Sequence, residues 1–363
     1  MPVKNTLPAA VNEMDFMSER ISALVNLTES GDPLISAYFD LCQSKEHLQS
    51  KFSHWAIAAR VTLNRTERAA FDDAHRDVVN AISEEWPEET RGLAVFSRRG
   101  NSQVHMVIPF GALLDTHFDV SSMPSIFPLV QLKDRFNRFV VAIATEDVSR
   151  IFEVTLGAVS EAILARRPEL GGQLGREWGR EHFHQKKREN DLKFHRDQVT
   201  IITNLMAKRG HNHLILAGNS KHVAGLREAL PKSISAQLVG ELHKTPSGGD
   251  YSAVLEQAID TFIEVERSES RDTVQRLHEQ VRREALAVVG VDASRDAIIG
   301  GYAAELVISE ELPAAKREEL THLATARNLA IEVCEGDELL ATHGGVGCLL
   351  RYRPAFIPSN MES

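Results

Sequence analysis

The sequence predicts a mixed α/β protein of three domains. Three observations carry that reading. The chain has 363 residues, more than a single hydrophobic core usually organises. Runs rich in Val, Ile and Phe alternate with amphipathic helical stretches along its whole length. Charge divides it too: residues 1–135 hold 13 basic and 18 acidic side chains, residues 136–265 hold 17 and 16, and residues 266–363 hold 11 and 17. Domain boundaries are therefore expected near 135/136 and 265/266.

In the first segment, Val11–Leu27 has helical amphipathicity, and Gly31-Asp32-Pro33 breaks it. Leu34–Phe39 reads as a strand. Lys45–Asn64 and Thr66–Trp86 read as helices, the second opening on Thr66 and Glu67. Gly92–Ser97 and Gln103–Ile108 flank Arg98-Arg99-Gly100-Asn101, a hairpin signal.

The second segment opens on another hairpin, Phe139–Ala144 with Arg150–Thr155, ended by Gly157. A polar loop rich in Gly and Arg runs from Arg166 to about His184. A helix follows over Gln185–Lys208, where Leu192, Val199, Ile202 and Leu205 recur with helical spacing. His213–Ala217 reads as a buried strand. Gly218-Asn219-Ser220 turns it into a helix through Leu230, with Asn219 or Ser220 as N-cap. That turn lacks the spacing of a phosphate-binding P-loop, so no nucleotide site is expected. Leu238–Leu242 is a further strand.

A long helical stretch, Tyr251–Ala287, joins the second segment to the third. The third alternates: strand Ala303–Ile308, helix Pro313–Leu329, strand Ala330–Cys334, short helix Asp337–Thr342, and closing strand Gly347–Tyr352. This alternation predicts an α/β/α sandwich.

Composition removes several classes. Hydrophobic content of 43% and charged content of 25% exclude a largely disordered chain, a collagen and a coiled-coil rod. A net charge of −10 excludes a uniformly cationic RNA coat. Cys42, Cys334 and Cys348 are widely spaced and form no CxxC pair, which fits a reducing cytosol and predicts neither disulfide nor zinc site. The first residues lack the apolar core of a signal peptide, the last seven read as a loose tail, and no run is apolar enough to span a bilayer. A cytoplasmic protein without membrane contact is expected.

The order of these pieces resembles the bacterial branch of the archaeo-eukaryotic peptide-chain release factor 1 and Pelota superfamily. Pro33-Leu-Ile-Ser-Ala-Tyr-Phe-Asp40 is similar to the first-domain strand of that branch, and Gly92-Leu-Ala-Val-Phe96 to its second marker. The hairpin from Phe139 to Gly157, followed by a polar loop and a basic helix, resembles the start of the central domain. Gly345–Tyr352 resembles the closing strand of the third, which is similar to small ribosomal proteins that bind kink-turn RNA. In length and loop style the chain is most like a subgroup of ribosome hibernation factors within that branch. The resemblance implies a three-domain translation factor in the ribosomal A site. Its implied partners are the 70S ribosome, ribosomal RNA and tRNA, with elongation factor Tu as carrier.

The segment that would carry function runs from Arg166 to Arg196. It holds nine bases (Arg166, Arg167, Arg176, Arg180, Lys186, Lys187, Arg188, Lys193 and Arg196), offset in part by six acids between Glu169 and the adjoining Asp197. His182, His184, Trp178 and Phe183 lie among them. Cations can neutralise RNA phosphates, and an aromatic ring can stack on an unpaired base. A solvated helix with i,i+4 ion pairs explains the charges equally well, and the resemblance favours RNA. Arg98 and Arg99, at the hairpin tip, are further candidates for RNA contact. His182 and His184 have no accompanying Cys or carboxylate cluster, so no metal is expected.

Release factors of this superfamily carry Gly-Gly-Gln at the tip of the central loop, and Gly171-Gly172-Gln173 supplies that triplet. Glycines admit close backbone approach, a backbone N–H beside the glutamine can donate to an ester oxyanion, and the glutamine can place water. Gln173, however, lies 22 residues before His195, the best match to the helix histidine of the family, and Trp178 matches the tryptophan near the loop tip of many bacterial members. Binding without bond-making and without a cofactor is therefore the first expectation. Ester hydrolysis of peptidyl-tRNA in ribosome rescue, through Gly171, Gly172 and Gln173, is the second. Motifs for stop-codon reading are absent from the first segment.

Overall fold

The computed structural model describes residues 11–87, 90–135, 138–145, 148–155, 158–166, 180–246 and 250–353. The chain divides into two compact units: residues 137–265 with 1–14, and residues 15–136 with 266–363.

The first stretch runs α1 (Val11–Val25), β1 (Leu34–Asp40), α2 (Lys45–Thr62), α3 (Arg65–Ser83), β2 (Gly92–Arg98), β3 (Val104–Phe110), β4 (His117–Ser121) and α4 (Phe127–Arg135). Its antiparallel sheet has the order β3-β2-β1-β4. Ile35, Ala37 and Phe39 alternate onto the face covered by Phe52 of α2 and Phe71, Ala74 and Val78 of α3. Ser44 caps α2. Asn64 and Glu67 form a reciprocal capping box that starts α3, which is why the two helices break sharply at Leu63-Asn64.

The second stretch holds β5 (Phe139–Ala144), β6 (Val148–Thr155), β7 (Ala158–Arg166), α5 (Arg180–Arg209), β8 (Leu214–Gly218), α6 (Ser220–Ala229), α7 (Lys232–Ser235) and β9 (Leu238–Leu242). Then α8 (Ser252–Arg282) leads out of it. The sheet order is β7-β6-β5-β8-β9: an antiparallel meander continued by two parallel strands. Both faces are covered, so β5 and β8 are apolar throughout. Val140, Ala142, Leu214 and Leu216 meet Val199, Ile202 and Met206 of α5. Val141, Ile143 and Ile215 meet Val254, Ala258 and Phe262 of α8, with Phe262 stacked 4.2 Å from Phe139.

The third stretch adds β10 (Ala287–Val289), α9 (Val291–Ile299), β11 (Ala303–Ser309), α10 (Ala314–Ala326), β12 (Ala330–Cys334), α11 (Glu338–Thr342) and β13 (Val346–Leu350), with sheet order β10-β13-β11-β12. Helices α9 and α10 cover one face, and the end of α8 with α11 covers the other. This is the α/β/α sandwich that the sequence predicts. Cys334 and Cys348 are buried in it as free thiols, and burial pushes both up to about 12.

The first and third stretches form their unit through α4. Phe127 joins the core of the third stretch. Glu318 of α10 accepts from Ser125 Oγ at 2.6 Å and from the backbone N–H groups of Ile126 and Phe127. Tyr38 Oη and Ser36 Oγ of β1 bond the backbone of the same Ser125 at 2.6 and 3.0 Å. At the other end of α4, Asp134 accepts from Val333 N at 2.9 Å, and Arg135 pairs with Glu310 and Glu335, both at 2.8 Å.

Several expectations shift. The second hairpin gains a third strand, β7. The closing strand of the first sheet, β4, and helix α4 are added. The long helix ends at Arg282 rather than Ala287, because Glu284 turns at φ 49° and Ala287–Val289 pairs with β13. Helix α5 begins at Arg180, five residues before the expected start.

Candidate nucleic-acid interface

The central unit positions its basic segment with two elements. Strand β7 ends at Arg166, paired to Val148 of β6 at the sheet edge. Helix α5 begins at Arg180 and is 30 residues long. Among the described side chains, it is buried through Phe194, His195, Gln198, Val199, Ile202, Leu205 and Met206. Before Phe194, Glu189, Leu192 and Lys193 are exposed. The fourteen residues from Arg180 to Lys193 span ~21 Å of helix.

Close packing fixes the seat. His195 is buried against α6, where a Cβ on Gly225 would stand 2.3 Å from its Cε1, and its ring meets that of His222 edge-on at 6.0 Å. His195 is therefore part of the α5–α6 contact. Glu153 of β6 lies 2.7 Å from Nε2 of His211, both buried, tying the sheet to the turn that ends α5. The turn from β8 to α6 is held by Asn219, whose side chain accepts from Lys221 N, as the sequence predicts.

Residues 124–262 match the family of Bacterial archaeo-eukaryotic release factor family 10. Over this segment, less than half of its length, the chain is similar to bacterial archaeo-eukaryotic release factors. No curated protein matches the sequence. Several solved structures are similar in fold. One is S. cerevisiae Dom34, a translation termination-like factor involved in RNA quality control pathways and interacting with Hbs1, at 11% identity and TM-score 0.46, covering 73% of this chain and 80% of that one. Another is the archaeal translation termination factor aRF1, at 14% and 0.29, covering 94% and 98%. A third is ribosome-bound archaeal Pelota, in an assembly with ABCE1, at 15% and 0.44, covering 93% and 94%.

Of the residues singled out from the sequence, Arg180, His182, His184, Lys186, Lys187, Arg188 and Lys193 are brought together on α5, and Arg166 closes β7. Arg167, Gly171, Gly172, Gln173, Arg176 and Trp178 lie outside the described residues.

The two arginines of the first hairpin require a correction. Arg98 is fully buried and is not a surface cation. Its guanidinium donates to the carbonyls of Thr28, Ser102 and Ser122 and to Ser102 Oγ, fastening three loops together. Arg99 makes a two-pronged pair with Asp77 at 2.6 and 2.8 Å, and that guanidinium holds the Asp77 carboxyl below its ordinary range. The Arg-Arg dipeptide read as a charged tip because sequence alone does not show which side chain turns inward. The buried Glu153–His211 pair had no such cue, since its partners lie 58 residues apart. Among the described residues no helix is long and apolar enough to cross a membrane.

Proposed function

We propose that this chain is a ribosome-binding translation factor of the hibernation type, Balon-like, which occupies the A site of idle ribosomes. The match of residues 124–262 to a release-factor family carries the reading. The segment from Arg166 to Arg188 reaches toward the peptidyl-transferase centre, and α5 is its rigid support. The five basic residues from Arg180 to Lys193 suit contact with RNA phosphates. Arg176, Arg180, Lys186, Lys187 and Arg188 neutralise phosphates of ribosomal RNA or tRNA, and Trp178 stacks on an exposed base. Such a stack contributes about 1–3 kcal/mol. The activity is binding and exclusion rather than bond-making. The partners are the 70S ribosome with its RNA, and elongation factor Tu as carrier, in the cytoplasm.

Co-sedimentation with ribosomes across a salt series tests this. Reversing Lys186, Lys187 and Arg188 to Glu is expected to weaken pelleting and flatten its salt dependence, by roughly 0.7–0.9 in log–log slope per lost phosphate contact. Unchanged pelleting and slope would remove the basic helix from the mechanism.

A further inference from the structure

The last turns of α8 carry a polar stripe. Arg271, Gln275, His278 and Arg282 step by 4, 3 and 4, so they share one face. With Asp337 and His343 they line a cleft of about 520 Å³ in the unit formed by the first and third stretches.

Charge pairing sets two of these residues apart. On the same helix, Arg267 lies 3.6 Å from Glu335 and Arg276 lies 2.7 Å from Glu305. Arg271 and Arg282 have no carboxylate or carbonyl partner among the described residues. This happens where acids outnumber bases 17 to 11, so partners are plentiful nearby. Asp337, the one carboxylate in the lining, is already engaged. Its Oδ1 accepts from Leu340 N at 2.7 Å to start α11 and lies 3.3 Å from His278 Nε2. That contact orients a histidine that is only 7% exposed, and the ring of His343 stands 6.2 Å from it. The cleft therefore presents two unpaired guanidinium groups, an amide and two imidazoles.

We propose that this cleft binds phosphate groups. Guanidinium is a planar fork that matches phosphate oxygens in pairs. Arg271 and Arg282 lie eleven residues apart, ~16 Å along the helix. That span suits an RNA backbone, whose successive phosphates follow one another along the strand, better than the two adjacent phosphates of a nucleoside diphosphate. The inference is independent of the ribosome reading, because the cleft lies in a different unit from α5's basic turns.

The test uses the full-length protein without ribosomes. One arm titrates pyrophosphate and ADP by calorimetry, and the other follows a labelled single-stranded RNA by fluorescence anisotropy. Both arms compare the wild type with the Arg271→Ala/Arg282→Ala double variant and with Arg276→Ala. Saturable binding is expected in at least one arm. The double variant should bind at least about tenfold more weakly, the equivalent of one charge-assisted hydrogen bond. Arg276→Ala, whose arginine pairs with Glu305, should bind like the wild type. Both arginines of the double variant are exposed, so its thermal midpoint should match the wild type. Binding of ADP or pyrophosphate would assign a nucleotide, and binding of RNA alone would assign a backbone. No saturable binding in either arm would overturn the proposal. So would equal affinity in the double variant, or the same loss in Arg276→Ala.

Discussion

Gly218 ends β8 at φ +128°, and a Cβ there would stand 2.0 Å from the carbonyl oxygen of Ala144 on β5. Neither strand can retreat, since the two are paired along their whole length. Gly218→Ala is therefore expected to destabilise the central unit by at least about 2 kcal/mol in urea unfolding. A second residue-scale prediction concerns acids. Burial, with Glu269 and Glu332 nearby, pushes Glu266 from 4.5 up to about 8. Burial also raises Asp134 and Glu332. Between 4.5 and about 8 the folded chain holds a proton that the unfolded chain has released, so stability is greatest on the acid side of that window and falls as pH rises through it. Thermal midpoints measured from pH 5 to 8 should decline, and Glu266→Gln should flatten the decline. An unchanged slope in that variant would assign the effect elsewhere. None of this was legible in the residue types alone: an acid reads as exposed until its burial is known, just as Arg98 does.

At the scale of elements, α4 is the notable strut. Its start is capped by Glu318 from α10, and its end is held by Asp134 and Arg135 against β12 and the residues around it. Glu318→Ala leaves the N–H groups of Ile126 and Phe127 without their acceptor in a half-buried environment. The expected cost is about 1–3 kcal/mol for each buried donor left unmade. Chemical denaturation measures it, and a change below about 1 kcal/mol would argue against the strut. Such elements were hard to foresee for a physical reason. Helix α4 is nine residues long with Pro128 near its start, so it has too few turns to show a period. Strand β7 and the short β4 gain their identity from neighbours rather than from composition. By contrast, β1, β2, β5, β8 and α3 were legible because strong apolar runs, or the Asn64–Glu67 cap, specify them locally.

For the whole molecule, a net charge of −10 hides its distribution, because acids dominate residues 1–135 and 266–363 while bases slightly outnumber acids in residues 136–265. The proposed activity is occupancy, so wild-type protein is expected to release no peptide from stalled ribosomes. Gln173→Ala should pellet with ribosomes as the wild type does. Peptide release that vanishes in Gln173→Ala would make the chain a hydrolase instead. The central claim is about location, and a cryo-EM map of this protein bound to idle ribosomes tests it most directly. The account predicts density in the A site with the segment between β7 and α5 pointing into the peptidyl-transferase centre. Density elsewhere on the ribosome, or that segment directed away from the centre, would contradict it.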